Sequence, residues 1–155
     1  MIRGFVRFLA LFFVALISGA SLAVWLDNNS TGMSPAFFVE KMQHSIRVLT
    51  VPLPVMAILG LLFTVASTIY ARRDRLSFYL LLAACICLIA GVLTTVLGNI
   101  PINKQILTWS INAPPSNWTD LREKWWLLHG VRTVLTMAGM TFLFSAVLFR
   151  RDAST

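Results

Sequence analysis

Four stretches of this chain run long and apolar without a charged residue: Phe8–Leu26, Val48–Ala71, Leu76–Asn103 and Thr133–Phe149. About 20 mostly apolar residues are enough to cross the hydrocarbon core of a bilayer. The first three runs reach that length. The fourth is a little short and draws Val131 and Arg132 to the membrane edge. Backbone polar groups in lipid must be satisfied within their own segment, so each run reads as a helix. The expected fold is all-α: one domain over residues 1–155, an antiparallel bundle of four transmembrane helices. The spans fall at about 8–26, 48–71, 76–99 and 131–149. An extended outer loop joins helices three and four. Ala15, Gly19 and Ala23 recur every fourth residue in helix one, as do Gly60, Thr64 and Thr68 in helix two. Small residues at that spacing let helices approach closely in lipid.

The polar positions follow their own pattern. Ser34-Pro35 reads as a helix start, a hydroxyl N-cap followed by proline in the first turn. Glu40, His44 and Arg47, with Gln43 beside them, then share one helical face. Pro52 and Pro54 predict a kink just below. Helix four begins near Asn117 or Thr119. It carries a stripe of Arg122, Trp126, His129 and Thr133, flanked by Trp125 and Arg132. Asn99 and Asn103 close helix three on the same side.

Composition places these helices in a membrane. The 155 residues are 57% hydrophobic and 12% charged, and the mean hydropathy is +0.78. A soluble domain carries about twice that charge. The net charge of +7 comes mainly from Arg3 and Arg7, from Arg72, Arg73 and Arg75, and from Arg150 and Arg151. Each group flanks an apolar run. No soluble basic face remains for nucleic acid. The arginine bias predicts a multi-pass protein of a bacterial inner membrane, with both termini cytoplasmic and loops 27–47 and 104–130 outside. Helix one reads as a retained anchor, because its run exceeds an ordinary signal-peptide core. Cys85 and Cys87, two apart on one helix, cannot bridge each other. Asn28, Asn29 and Asn117 match the N-glycosylation triplet.

Ionisable groups at membrane depth are paired, wet or functional. Each has a plain structural alternative. Trp109, Trp118, Trp125 and Trp126 fit an interfacial aromatic belt. Arg47 and Arg132 can snorkel to headgroups. Glu40 can pair with Arg47 or Lys41, and Asn99 and Asn103 can cap helix three. The functional alternative is that the two polar faces meet in an aromatic-walled pocket open to the outer surface. There a histidine takes a proton and an arginine steadies the resulting anion. Glu40, His44 and His129 also offer a two-histidine, one-carboxylate metal set. No His-x-x-x-His or His-x-x-Glu spacing supports it, so no metal and no other cofactor is expected.

The strings Asn99-Ile100-Pro101-Ile102-Asn103, Trp109, Ala113-Pro114-Pro115, Trp118, Leu121-Arg122, Trp125 and His129-x-x-Arg132-Thr133 resemble the anthrone oxygenase-like integral membrane proteins. Ser34-Pro35-Ala36-Phe37 with Gln43 resembles that family's entry to helix two. The resemblance covers nearly the whole chain and implies four crossings. It also implies oxidation of an anthrone- or quinol-like aromatic by O2 without a recognised cofactor. On that reading His129, with His44 as second choice, removes the acidic C–H proton. Arg132 or Arg47 holds the enolate, and Asn99 or Asn103 the carbonyl. Trp109, Trp125 and Trp126 stack on the rings, with Gln43 and Glu40 alongside. The partners are then the bilayer, an aromatic small molecule and O2. The competing expectation is a non-catalytic membrane protein that binds a lipophilic compound or supports a membrane partner.

Overall fold

The apolar runs become helices because lipid leaves their backbone no other partner. In a computed structural model, which describes residues 1–28 and 32–149, six helices follow in order. They are α1 (Ile2–Asp27), α2 (Pro35–Leu49), α3 (Pro52–Tyr70), α4 (Arg75–Thr94), α5 (Ile100–Leu107) and α6 (Trp118–Leu148). A π-helical segment, Thr95–Asn99, joins α4 to α5 without a break. Four helices are long and apolar enough to cross a membrane: α1, α3, the continuous Arg75–Leu107 rod and α6. The described residues are helical with no strand, as the sequence predicts. Around the bundle each span touches two neighbours, in the order α1, α3, α4, α6. Arg3, Arg7, Arg72, Arg73 and Arg75 gather near the ends opposite α2, hereafter the arginine end. Arg150 and Arg151 lie outside the described residues.

At the arginine end α4 is capped by Asp74, whose carboxylate accepts from the Ser77 backbone N–H (3.4 Å). It also accepts the Ser77 hydroxyl. That hydroxyl holds the Asp74 carboxyl below the usual carboxylate range. A carboxylate that accepts hydrogen bonds at a helix N-terminus is stabilised in its charged form.

The helix-two prediction needs a correction. The chain turns at Thr50 and Val51, so α2 and α3 are separate helices rather than one kinked rod. Pro52 opens α3 as its first residue, where a missing N–H costs nothing. Helix three is longer than expected. Pro101 should end it, because proline removes a donor and crowds the preceding turn. The wide turn Thr95–Asn99 absorbs that misfit, and the helix continues to Leu107. Such π turns are rare and gather at functional sites. Gly98 allows the wide turn to lie against α6, since a Cβ there would stand 2.9 Å from Leu128 Cδ1.

Of the two small-residue stripes, one packs and one does not. Gly60, Thr64 and Thr68 are buried, and a Cβ on Gly60 would meet Val14 Cγ2 at 3.1 Å. The face of α1 that packs is Ala10, Val14, Ile17, Ser18 and Ser21. Gly19 is exposed, with nothing within 4 Å of an added Cβ. This difference predicts a contrast. Gly60→Ile should lower unfolding stability by about 1–3 kcal/mol through overpacking. Gly19→Leu should stay within about 0.5 kcal/mol of wild type. Equal losses on denaturant titration in mixed micelles would refute this assignment of the α1 face.

Candidate functional site

Near the α2 end, the facing sides of α1 and α6 carry a polar seam inside an otherwise apolar bundle. Ser18 Oγ donates to Thr136 O (3.5 Å), and Thr133 Oγ1 donates to His129 O (2.8 Å). His129 is the centre of this seam and is 1% exposed. Its Nε2 lies 3.0 Å from Ser21 O. A carbonyl can only accept, so Nε2 carries the proton there and Nδ1 is left as the basic nitrogen. Nδ1 is buried and has no hydrogen-bond partner. The Trp125 indole stacks on the imidazole, with centroids 4.7 Å apart and an interplanar angle of 28°.

The wide turn of Thr95–Asn99 brings a second set of groups to the same place. Asn103 Oδ1 accepts from Trp125 Nε1 (2.7 Å). Asn99 Nδ2 donates to Trp125 O (3.1 Å). Thr95 Oγ1 lies 3.4 Å from Arg132 Nη1. Beside these groups is a chamber of about 130 Å³ whose polar lining includes Asn28, Thr95, Asn103, Trp125, His129 and Arg132. Next to it is an apolar cavity of about 200 Å³, bordered by Ile17, Ile58, Leu88 and Val92. Leu53, Pro54, Thr95, Ile100 and Arg132 line both. Three buried polar atoms around the chamber have no partner: His129 Nδ1, Asn28 Oδ1 and Arg132 Nε. Unpartnered buried polar groups are costly and rare, so three at one place call for an explanation.

Above the chamber α2 forms a roof. Its apolar face, including Phe38, Val39, Met42 and Ile46, packs with Ile102, Ile106 and Trp125. Gln43 Nε2 donates to Ile106 O and Trp109 O, both at 2.9 Å. Lys41 pairs with Asp27 at 2.9 Å. Phe38 lies against Trp118, ring centroids 5.4 Å apart.

This geometry sorts the predicted residues. His129, Arg132, Asn103 and Trp125 meet at one chamber, and Asn99 braces it from behind. Gln43 is a roof tie, and Trp109 gives it a carbonyl. Trp126 lies on another side of α6, where its Nε1 donates to Trp25 O (3.3 Å). Glu40, His44 and Arg47 are exposed on α2 and line neither cavity. The expected meeting of the two polar faces is therefore corrected. An amphipathic helix at the membrane edge turns its apolar side inward, so the polar face of α2 is left outside. Exposed Glu40 and His44 do not join buried His129, and among the described residues no three metal-binding side chains gather. Asn99 and Asn103 do not cap helix three, because the helix runs on past them. Asn28, read as a glycosylation triplet, is buried and its Nδ2 bonds to Val24 O (2.8 Å). Asn29 lies outside the described residues.

Sequence reasoning missed Ser21, Thr95 and Asn28. A signal was present for the first two: hydroxyl residues within apolar spans are often interhelical glue. The comparisons with known proteins bear on this same stretch. The model of the anthrone oxygenase family matches residues 42–142. The chain belongs to the anthrone oxygenase family. The matched region runs from the roof helix to within six residues of the end of α6 and holds His129, Arg132, Thr95, Asn99 and Asn103. No curated protein and no solved structure matches the chain.

Proposed function

We propose that this anthrone oxygenase family member oxidises a membrane-soluble anthrone- or quinol-like aromatic with O2, using His129 as the base. One observation carries the reading. An imidazole buried between spans has one nitrogen fixed on Ser21 O and the other unpartnered, beside a chamber that also holds the Arg132 guanidinium. A base needs a free lone pair, a fixed orientation and a nearby cation for the anion it creates.

The chemistry balances with O2 as the only other reactant. His129 Nδ1 takes a proton from the methylene between the two rings. The electron pair passes to the carbonyl oxygen, and Arg132 offsets the enolate charge. The enolate gives one electron to O2, the two radicals couple to form the C–O bond of a peroxide anion, and His129 returns its proton to give the hydroperoxide. Loss of water, which takes the remaining methylene hydrogen and breaks the O–O bond, leaves the second ketone. One O2 is consumed and one water released per anthraquinone. The Trp125 indole offers a flat apolar wall, and the Asn103 and Asn28 amides offer polar contacts for ring substituents. No metal or organic cofactor takes part in this scheme. The arginine bias supports a placement with both termini cytoplasmic and α2 outside.

The test is direct. Purified protein, treated with a chelator and supplied with anthrone in aerobic buffer, should produce anthraquinone well above the protein-free rate. Oxygen uptake should match product mole for mole. Folded protein that binds anthrone but adds nothing to the spontaneous rate would refute catalysis and leave a non-catalytic binder.

A further inference from the structure

We propose that the ligand of the His129 chamber enters sideways from the lipid, through the apolar cavity between α3 and the Thr95–Asn99 turn, and not from water through the α2 end. This inference rests on the reading of that chamber as the binding site.

Three observations combine. First, the apolar cavity and the chamber are neighbours that share Leu53, Pro54, Thr95, Ile100 and Arg132 along their border. Whatever fills one is adjacent to the other. Second, the outer rim of the apolar cavity is made of lipid-facing side chains: Ile58, Val96 and Ile100 are 55%, 48% and 37% exposed. Ile58 is six residues into α3, which puts it about 9 Å below the start of that span at 1.5 Å per residue. Val96 is 21 residues past Arg75, about 30 Å along its rod and near the far edge of the hydrocarbon layer. The rim therefore opens at the depth of acyl chains. Third, the roof is tightly packed, and the chamber's remaining edge, Ser45, Leu49 and Thr50, lies at the α2–α3 turn next to Leu53 and Pro54, which also line the apolar cavity. Phe38, Val39, Met42 and Ile106 are each at most 1% exposed in the roof. Gln43 ties α2 to α5 and to Trp109, and Lys41 ties α2 to α1.

A solute that enters from water through the roof must part a packed apolar cluster. A solute already dissolved in the bilayer passes only mobile aliphatic side chains. The occupant of the passage is thus a planar lipophilic molecule partitioned into the leaflet nearest α2. Arg132 stands on the border between passage and chamber. It is the first cation such a molecule meets, and it favours one that carries an oxygen at its leading edge.

A gate leaves a kinetic signature that a binding residue does not. It changes entry and exit together and leaves affinity alone. The protein in phosphatidylcholine nanodiscs would be mixed with vesicles loaded with anthraquinone, and quenching of tryptophan fluorescence followed in time. Ala57→Phe narrows the passage without touching the chamber. It should slow association and dissociation alike, each about tenfold, with Kd unchanged. Ile58→Ala widens the rim and should speed both. It serves as the independent readout if Ala57→Phe fails to fold. Unchanged rates in Ile58→Ala, or a change in Kd with an unchanged association rate in either variant, would overturn the lateral route. Absence of saturable quenching in the wild type would instead refute the chamber as an aromatic-binding site.

Discussion

Replacing His129 by glutamine is expected to lower anthrone oxidation by roughly a hundred- to ten-thousandfold, the usual contribution of a positioned base. Glutamine is the informative choice because it separates two roles of the imidazole. Its amide N–H can still donate to Ser21 O, where Nε2 now sits at 3.0 Å. The bond between α1 and α6 is kept, and it is worth about 0.6–2 kcal/mol in a membrane protein. What glutamine lacks is a basic lone pair in place of Nδ1. The melting temperature should stay within a few degrees of wild type while anthraquinone formation collapses to the spontaneous rate. His129→Ala should lose both, since it also leaves a void beside Trp125. A glutamine variant that keeps wild-type turnover would remove His129 from the chemistry and make it a structural tie alone.

The largest loss of stability is expected from Trp125→Ala, about 3–5 kcal/mol by the usual cost of emptying a buried aromatic site. Trp125 is 5% exposed and belongs to the roof cluster. It stacks on His129 and donates to Asn103 Oδ1. Truncation would remove the stack, leave the Asn103 oxygen without its donor and open a void where three elements meet. Trp125→Phe keeps one flat ring but loses the N–H and part of the indole's bulk, so it should cost less, about 1–3 kcal/mol. Unfolding in mixed micelles, followed by circular dichroism, reads both. Similar midpoints for the two variants would mean that Trp125 lies at a site that collapses without cost.

The spans were legible because the membrane imposes a single rule, and uncharged runs of sufficient length obey it. His129 and Arg132 were legible as inward groups for the same reason: ionisable side chains near hydrocarbon need a partner or a purpose. Residues on α2 were misread because a different rule holds at the membrane edge. There water competes for polar groups again, and the apolar face with Phe38 and Met42 takes the inside position. Glu40, His44 and Arg47 follow the ordinary logic of an amphipathic helix. The length of the third span was hidden because Asn99 and Asn103 read as its end, whereas a wide turn carries the helix past Pro101. No local residue pattern announces such a turn. Asn99 and Asn103 were noticed for the right reason, their position, and given an alternative as caps that the continuing helix removes. The family resemblance pointed to the same stretch, and the family match covers it.

The wide turn between Thr95 and Asn99 amounts to one surplus residue in an otherwise regular coil. Each residue turns an α-helix by about 100°. Closing that turn to normal pitch without losing a residue would swing Pro101, Ile102 and Asn103 around the axis by about that angle. All four crossings would survive, yet Asn103 would no longer reach the Trp125 indole. In this stretch, side chains are more negotiable than helical pitch: exchanging them edits the wall, whereas tightening the coil dismantles it.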